Sequence, residues 1–389
     1  MKIVVLGGAG FVGREAVKDL VKNNSVKEVC IADFNLDVGK TLAKEIGPKV
    51  SACFVDITDP SVLLSVVKKY DLAVNTVGPF YRNGARVLEA CIAGKTNYVD
   101  TCDDYDACDL LLGYDEKCKQ AGITAIVSSG ASPGITNMVG LYGATQMEQP
   151  EEIHTSWVEN IGDAAGIVVW WHSMHMAVGE IPQFIDGQWE KVPALTGKVE
   201  RIFAEPLGKY PVYYLGHPEP VSLPRYIKGL KTVTNRGNIW PADVDLMEFK
   251  PLIDFGLAVD EILKVGKIEV NRRDFMGYHL MDLLKVTVPP TGDPSDSGDP
   301  HFLIRVDISG KIGKSDVHYA YNSHMWDTSM ATGTSAAYCA QDILFGKAPK
   351  KGAFAPEGYC DPVAFLKYMA ERDVCFTQAK TITEPLVFG

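Results

Sequence analysis

Long apolar runs are missing from this sequence. None of them approaches the ~20 consecutive residues that a membrane-spanning helix needs, although 46% of the 389 residues are hydrophobic. The apolar stretch at the N-terminus is short and runs directly into glycines, so it has the length of a strand and not the make-up of a secretory signal. We therefore expect a cytoplasmic protein that does not insert into a membrane.

Paired cysteine motifs are also missing. Nine cysteines are present, but no two of them form a C-x-x-C pair, so neither a zinc site nor a redox motif is indicated. Several lie inside apolar segments, which is typical of buried, reduced thiols and not of a disulfide framework. The nine are Cys30, Cys53, Cys91, Cys102, Cys108, Cys118, Cys339, Cys360 and Cys375.

Positive charge is scarce. The 38 Lys and Arg residues are outnumbered by 49 Asp and Glu residues, which gives a net charge of −11, and no Lys/Arg cluster stands out. A nucleic-acid backbone requires a basic face, so nucleic acid is excluded as a main partner. A local basic pocket for a carboxylate remains compatible with this composition.

Glycine is concentrated in a motif near the N-terminus. Residues 2–6 (KIVVL) form an unbroken aliphatic run, which is typical of a strand buried on both faces of a parallel sheet. A G-x-G-x-x-G spacing follows, and then a predicted helix over 11–22 whose N-terminus directs N–H groups at a phosphate. This pattern predicts that a dinucleotide binds Gly8, Ala9, Gly10, Phe11, Val12 and Gly13.

The next apolar run supports the same interpretation. Residues 29–32 end in Asp33, 20 residues after Gly13, where dinucleotide folds place the acid that binds the ribose hydroxyls. Taken alone, Asp33 is equally well an exposed loop carboxylate, but the order of strand, glycines, helix, strand and acid favours the ribose contact. Because an acid repels a 2′-phosphate and Phe34 and Asn35 supply no Arg, NAD is favoured over NADP.

Alternating strands and helices continue to about residue 130. Together with the first two strands, four further strands are predicted at 50–55, 72–77, 97–99 and 124–127. Helices are predicted at 36–45, 61–69, 84–93 and 110–120. Six strands make a complete doubly wound parallel sheet. Its strand ends predict Asp56 and Ile57 near the adenine, and Gly78, Pro79 and Phe80 near the reacting end of the cofactor.

A chain of 389 residues exceeds the size at which single cores usually stop growing, so a second domain is expected. The small-residue stretch 128–134 (SSGASPG) is the predicted hinge, and a helix is predicted to begin after Pro133. Strands are predicted beyond it at 153–158, 166–171, 210–215, 230–235, 283–288, 301–309 and 315–321, several with antiparallel alternation. Residues 289–300 (PPTGDPSDSGDP) predict an exposed, mobile loop, and helices are predicted at 332–344 and 362–372.

With these residues in view, the chain resembles the saccharopine dehydrogenase family. The matching stretches are 7–13 (GGAGFVG), 75–81 (NTVGPFY), 97–100 (NYVD), 130–134 (GASPG), and the end piece from 332 to 357. The resemblance implies a Rossmann domain over 1–130, a substrate-binding and dimerisation domain with a mixed sheet over 131–330, and a C-terminal segment over 331–389 that returns to the Rossmann domain. It also implies hydride transfer at a C–N bond of an amino acid.

Such a reaction needs a group that takes or gives the nitrogen proton. The candidates are Asp103 and Asp104 in a loop after the fifth strand, Tyr81, and His172. The alternative for the two acids is an ordinary N-cap of a following helix. For the segment 170–176 (WWHSMHM) the alternatives are a buried histidine and an aromatic packing layer. His172 and His175 stand three apart, but no H-E-x-x-H motif accompanies them, so no metal is expected.

The reaction also needs cations for the substrate carboxylates, and Arg binds carboxylates with two parallel hydrogen bonds. Arg82 directly follows the predicted cofactor turn, and Arg225 stands among aromatic residues and prolines. The predicted substrate contacts are therefore Arg82 and Arg225 for the carboxylates, and Trp171 as a side chain that lines the substrate site. Arg236, Arg272 and Arg273 complete the pool, with a surface ion pair as the alternative for each.

Two other functions use the same first domain. One is an NAD-dependent reductase of a carbonyl or thioester, and the other is a non-catalytic NAD-binding dimer. No Tyr-x-x-x-Lys pair follows the fourth strand, which argues against short-chain dehydrogenase chemistry. The large, Trp-rich second domain argues against a bare cofactor sensor.

Overall fold

Parallel strands dominate the first part of the chain. The computed structural model describes residues 1–160, 166–240, 245–283, 301–347 and 349–384. A seven-stranded sheet has the order β17-β6-β5-β4-β1-β2-β3, and every neighbouring pair is parallel. Its strands are β1 Lys2–Leu6, β2 Glu28–Asp33, β3 Val50–Phe54, β4 Leu72–Asn75, β5 Asn97–Asp100, β6 Thr124–Ile126 and β17 Gly352–Phe354.

Helices connect these strands. They are α1 Phe11–Leu20, α2 Leu36–Ile46, α3 Pro60–Val67, α4 Phe80–Gly94, α5 Tyr105–Leu112 and α6 Asp115–Ala121. The single helix predicted over 110–120 is wrong, because the chain turns at Gly113 and Tyr114 and forms α5 and α6. Glycine favours such a break, since it loses the most conformational freedom in a helix.

The seventh strand comes from the C-terminal part of the chain. The sequence predicts six strands, but β17 pairs in parallel with β6 and extends the sheet. The same part contributes α12 Thr328–Phe345, α13 Pro356–Tyr359 and α14 Pro362–Ala370. Small residues let α12 lie directly on α1: a Cβ on Gly333 would lie 2.6 Å from the carbonyl oxygen of Val12 and 2.7 Å from the amide nitrogen of Ala16.

The second sheet is mixed. Seven of its nine strands follow the order β10-β11-β12-β7-β15-β16-β18, while β8 pairs with β12 and with β9. β12 and β7 are parallel and the other pairs antiparallel. The strands are β7 Gln149–Asn160, β8 Glu180–Ile185, β9 Gln188–Pro193, β10 Val199–Ile202, β11 Lys209–Tyr214, β12 Thr232–Trp240, β15 Phe302–Ile312, β16 Ser315–Met325 and β18 Cys375–Thr383.

One predicted strand of this region is wrong. Residues 166–171 were expected to be extended, but they begin α8 Ile167–Met176. Val, Ile and Trp favour strands only when a pleated neighbour is available. Here Trp170 and Met174 instead pack on one side of a helix against Met276 and Leu280, so tertiary packing outweighs local preference.

The helix predicted to begin after Pro133 is α7 Ile135–Thr145. The remaining elements were not predicted, and they are α9 Glu219–Tyr226, α10 Leu246–Asp254, β13 Ile262–Val265, β14 Ile268–Asn271 and α11 Arg272–Leu283. β13 and β14 form a separate antiparallel hairpin. Of the strand predicted over 283–288, Leu283 ends α11 and the rest lies outside the described residues, as does the predicted loop 289–300.

The chain divides into two units. The first comprises 1–138 and 329–372, and the second comprises 139–328 and the residues from 373 onward. The predicted class is confirmed: an α/β Rossmann sheet plus an α+β domain with a mixed, largely antiparallel sheet. Among the helices that the structure describes, none combines the length and the hydropathy needed to cross a membrane.

Gly333→Ala is expected to destabilise the first unit, because the new methyl group would meet the backbone of α1 and overpacking costs about 1–3 kcal/mol. Thermal unfolding of the purified variant measures the effect. Gly166→Ala is the matched control, since no atom of the described residues other than its chain neighbours lies within 4 Å of its Cβ position. Equal unfolding midpoints for the two variants would contradict the packing of α12 on α1.

Candidate active site

The glycine loop closes tightly on itself. Gly7 has a φ of +73°, and its carbonyl oxygen accepts the N–H of Gly10 at 2.9 Å. A Cβ on Gly13 would lie 2.2 Å from that same oxygen, so this position requires glycine. Gly10, at the N-cap position of α1, has no side chain to cap the helix. The first N–H groups of α1 therefore face a cradle suited to a phosphate.

Asp33 is bound to this loop. Its Oδ2 atom accepts the backbone N–H of Ala9 at 3.1 Å, and its Oδ1 atom accepts that of Asn35 at 2.9 Å. The carboxylate is half-buried at the end of β2. The structure thus brings the predicted ribose acid to the predicted phosphate loop, as a dinucleotide requires.

An aromatic pair beside Asp33 was missed. Phe34 directly follows β2, and Phe54 ends the neighbouring strand β3. The two residues are 72% and 45% exposed, and their ring centroids lie 5.6 Å apart. The feature of the sequence that could have revealed this pair is a phenylalanine at the end of each of two predicted neighbouring strands. Nearby, Asp56 accepts hydrogen bonds from the hydroxyl and N–H of Thr58, which lower its pKa, and Ile57 is buried.

The end of β4 supports the loop from the other side. Thr76 Oγ1 donates to the carbonyl oxygen of Leu6 at 2.9 Å, and a Cβ on Gly7 would lie 2.9 Å from Val77 Cγ2. The Gly78–Pro79 peptide bond follows in the cis form, and Phe80 begins α4. The three predicted cofactor residues 78–80 thus directly follow the segment that touches the loop.

Asp104 and Tyr81 are brought together. Oδ2 of the buried Asp104 accepts the backbone N–H of Tyr81 at 2.9 Å, in the first turn of α4. Asp104 occupies the N-cap position of α5, yet its side chain forms no capping bond there. It therefore satisfies a donor of the neighbouring helix. Asp103 is half-buried, and the Arg82 guanidinium lies 5.4 Å from the centroid of the Tyr81 ring.

Asp100, a buried carboxyl group at the end of β5, was also missed. Oδ1 of Asp100 accepts the backbone N–H groups of Cys102 at 3.0 Å and Ser128 at 2.7 Å, while Asn75 Nδ2 donates to the Tyr98 hydroxyl at 3.1 Å. Burial raises the pKa of Asp100 to about 6, although the two N–H donors favour the carboxylate. A charged residue closing an apolar strand was the available signal.

The other candidates lie in the second unit. His172 is buried, and its ring centroid lies 5.5 Å from that of His217. Trp171 packs edge-on against Tyr278, and the adjacent Trp170 lines an apolar cavity of about 60 Å³. Arg225 is exposed, and its Nε donates to the carbonyl oxygen of Val221 in its own helix. The structure therefore does not place Arg225 as a buried anchor.

This chain is similar to known proteins in sequence and in fold. Residues 3–126 match the family described as the saccharopine dehydrogenase NADP binding domain. Carboxynorspermidine synthase of Vibrio cholerae is 30% identical over 294 residues, covering 66% of this chain and 67% of the relative. Carboxyaminopropylagmatine dehydrogenase of a Synechocystis species is 25% identical, covering 95% and 96%.

Among solved structures, apo saccharopine dehydrogenase (L-Glu forming) of Saccharomyces cerevisiae superimposes with a TM-score of 0.62 at 16% identity. The superposition covers 98% of this chain and 99% of the yeast chain. At this identity the likeness concerns the fold alone.

Asp33→Ala is expected to weaken NAD binding markedly while leaving the fold intact, because it removes both the ribose acceptor and the bond to Ala9. Titration calorimetry with NAD measures the affinity, and circular dichroism checks the fold. The exposed Asp37→Ala on α2 is the control. Unchanged affinity in Asp33→Ala would show that the ribose is held elsewhere.

Asp100→Asn is expected to change how stability depends on pH. Below about pH 3 the carboxyl is protonated in both folded and unfolded chains. Between pH 4 and 6 the Asp100 carboxyl ionises freely only in the unfolded chain. The free energy of unfolding of the wild type therefore falls by roughly 3 kcal/mol as the pH rises to the folded pKa of about 6. Asparagine keeps an acceptor oxygen and does not ionise, so denaturant midpoints from pH 4 to 7 should be flatter. Parallel curves would contradict the raised pKa.

Proposed function

This chain belongs to the saccharopine dehydrogenase family of NAD(P)-dependent oxidoreductases acting on amine and amino-acid substrates, and we propose that it transfers hydride at the C–N bond of a carboxyl-bearing secondary amine. The observation that carries this proposal is the 30% identity with carboxynorspermidine synthase over two thirds of both chains. The second relative, named for carboxyaminopropylagmatine, is similar along nearly the whole chain. Both names denote an amine with an added carboxyl group.

We propose NAD, rather than NADP, as the cofactor. The family description names NADP, so this preference rests on residues of this chain. The Asp33 carboxylate is positioned against the loop, where it would repel a 2′-phosphate, and Phe34 and Asn35 supply no cation. The proposed contacts are the loop 8–13, Asp33, Asp56, Ile57 and residues 78–80, to which we add Phe34 and Phe54 as aromatic surfaces for the adenine.

A bound nicotinamide would accept or supply the hydride. The protein would have to transfer the proton of the amine and bind both the cationic amine and the substrate carboxylate. We propose Asp103 and Asp104 for the cationic amine and its proton, with Tyr81 and His172 as further candidates. Asp104 leads because it is buried and held by Tyr81 N–H. For the substrate carboxylate we rank Arg82 ahead of Arg225, because Arg225 is bonded within its own helix. Trp171 remains a candidate for packing against the substrate.

Asp104→Asn is expected to lower kcat by roughly a hundredfold or more, because it removes a proton-transfer group. The fold should be preserved, since the asparagine side-chain oxygen can still accept the Tyr81 N–H. Its KM for NAD should stay unchanged. NADH formation at alkaline pH over lysine, saccharopine, carboxynorspermidine and carboxyaminopropylagmatine measures both values. Asp103→Asn is assayed in parallel, and the exposed Asp109→Asn on α5 is the matched control.

Two results would overturn parts of this proposal. No turnover with any amine, but turnover with a carbonyl or thioester, would replace the reaction. Wild-type rates in both Asp103→Asn and Asp104→Asn would leave these acids with a purely structural role at the start of α4 and α5.

We also propose a homodimer. The hairpin β13–β14 and helix α11 expose apolar side chains, with Ile262 at 60%, Ile268 at 65% and Phe275 at 58% exposure. A two-stranded hairpin is marginal by itself, and exposed apolar patches commonly mark interfaces. Light scattering is expected to give twice the chain mass of 42.5 kDa; a single chain mass would exclude the dimer.

A cytoplasmic location is the last part of the proposal. All nine cysteines are free thiols, which is consistent with a reducing compartment. Cell fractionation with antibody detection tests the location, and recovery in an oxidising compartment would contradict it.

A further inference from the structure

Part of one face of the mixed sheet in the second unit is polar. Arg236 on β12 pairs with Ser156 on β7, and Ser156 pairs with Arg305 on β15, so these three side chains form one row across the sheet. Successive residues of a strand point to opposite faces, and the neighbour Trp157 is buried on the other face. The polar row therefore lies apart from the apolar layer that contains Trp157.

A single buried carboxylate serves several cations in this region. Asp307 on β15 accepts hydrogen bonds from Arg305 Nε at 3.0 Å and Nη2 at 2.7 Å. His318 Nε2 lies 3.1 Å from it, and Arg201 Nε lies 3.5 Å from it. Burial alone would raise the pKa of Asp307, but His318 and the guanidinium groups lower it to about 2. The carboxylate is therefore ionised and already shared.

Arg236 has no such partner. It is 6% exposed, and it donates to the carbonyl oxygen of Gly197 at 3.0 Å and to Thr234 Oγ1 at 2.7 Å. Its guanidinium lies 3.9 Å from the centroid of the Tyr214 ring. No carboxylate forms an ion pair with it among the residues that the structure describes, and burial lowers its pKa to about 10. A buried cation without a counter-ion is costly.

Two further groups have unused hydrogen-bonding capacity. Ser156 is fully buried between Arg236 and Arg305 in the row, and its Oγ has no partner within the described part of the chain. Nε of Arg201 also forms no hydrogen bond with the described residues, although it lies 3.5 Å from Asp307 Oδ2. Leaving a buried polar group unpaired costs about 1–3 kcal/mol. His154, 2.8 Å from Thr234 Oγ1, has its pKa lowered by burial and by the charges of Arg201 and Arg236.

We propose that this polar face binds a small oxyanion with two negative charges, held by Arg201, Arg236 and the hydroxyl of Ser156. Three guanidinium groups lie in this region, but among the described residues only those of Arg201 and Arg305 pair with the buried carboxylate of Asp307. The charge of Arg236 is not balanced, so positive charge is in excess. Glu152 pairs with His154, but it lies at the rim with a side chain 46% exposed. Arg201 and His154, 23% and 21% exposed, connect the site to solvent.

The ligand is an inorganic phosphate or a dicarboxylate, and titration calorimetry distinguishes them. The full chain, saturated with NAD to occupy the glycine loop, is titrated with sodium phosphate and separately with sodium succinate, with sodium chloride of equal ionic strength as the reference. Saturable binding of one or both anions is expected. Arg201→Gln should weaken it about tenfold or more, as loss of one charged hydrogen bond implies, whereas Lys119→Gln on α6 in the first unit should leave it unchanged.

Ser156→Ala provides a second, independent readout. It should weaken anion binding and also raise the unfolding midpoint of the ligand-free chain, because an unpaired buried hydroxyl is removed. Binding no stronger than that of chloride would overturn the proposal. So would wild-type anion affinity in both Arg201→Gln and Ser156→Ala. Neither result depends on whether the chain oxidises an amine.

Discussion

The contact between Gly13 and the Gly7 carbonyl is the constraint on which the first unit depends. Because no Cβ separates them, α1 begins directly against the loop, and its free N–H groups are directed to one spot. The same closeness lets Asp33 reach the N–H of Ala9. Glycine at position 333 extends the arrangement, since α12 lies there directly against the backbone of α1 at Val12 and Ala16. Close backbone contacts therefore define the nucleotide site before any ligand contact is considered.

Much of this first unit could be predicted from the sequence because its signals are local. The glycine spacing, the apolar strands and Asp33 lie within a short segment, and each element follows its neighbour in the sheet. The error at α8 has the opposite cause. Its Val, Ile and Trp residues favour a strand locally, and only Met276 and Leu280, about a hundred residues away, make the helix the better packed state. β17 was missed for the same reason, because its partner β6 is remote in the sequence.

The candidate catalytic residues show where sequence reasoning reaches its limit. The pair Asp103–Asp104 was identified from its position after a strand, but the pattern could not separate catalysis from capping. The structure adds that Asp104 satisfies a donor of α4 and not of α5. Asp100 received no role from the sequence, yet it joins the loops after β5 and β6 through two backbone hydrogen bonds. Such roles depend on which backbone groups lie nearby, and residue types alone do not specify that.

The parallel pairing of β17 with β6 has a consequence for synthesis on the ribosome. The edge of β6 stays open until Phe354 has left the exit tunnel, and β16 likewise lacks its neighbour until Thr383 has emerged. An unpaired strand edge can pair with wrong partners. The edge of β6 stays exposed while residues 127–351 are made, and the edge of β16 while residues 326–374 are made. Chaperone capture during that interval would act on these two strands.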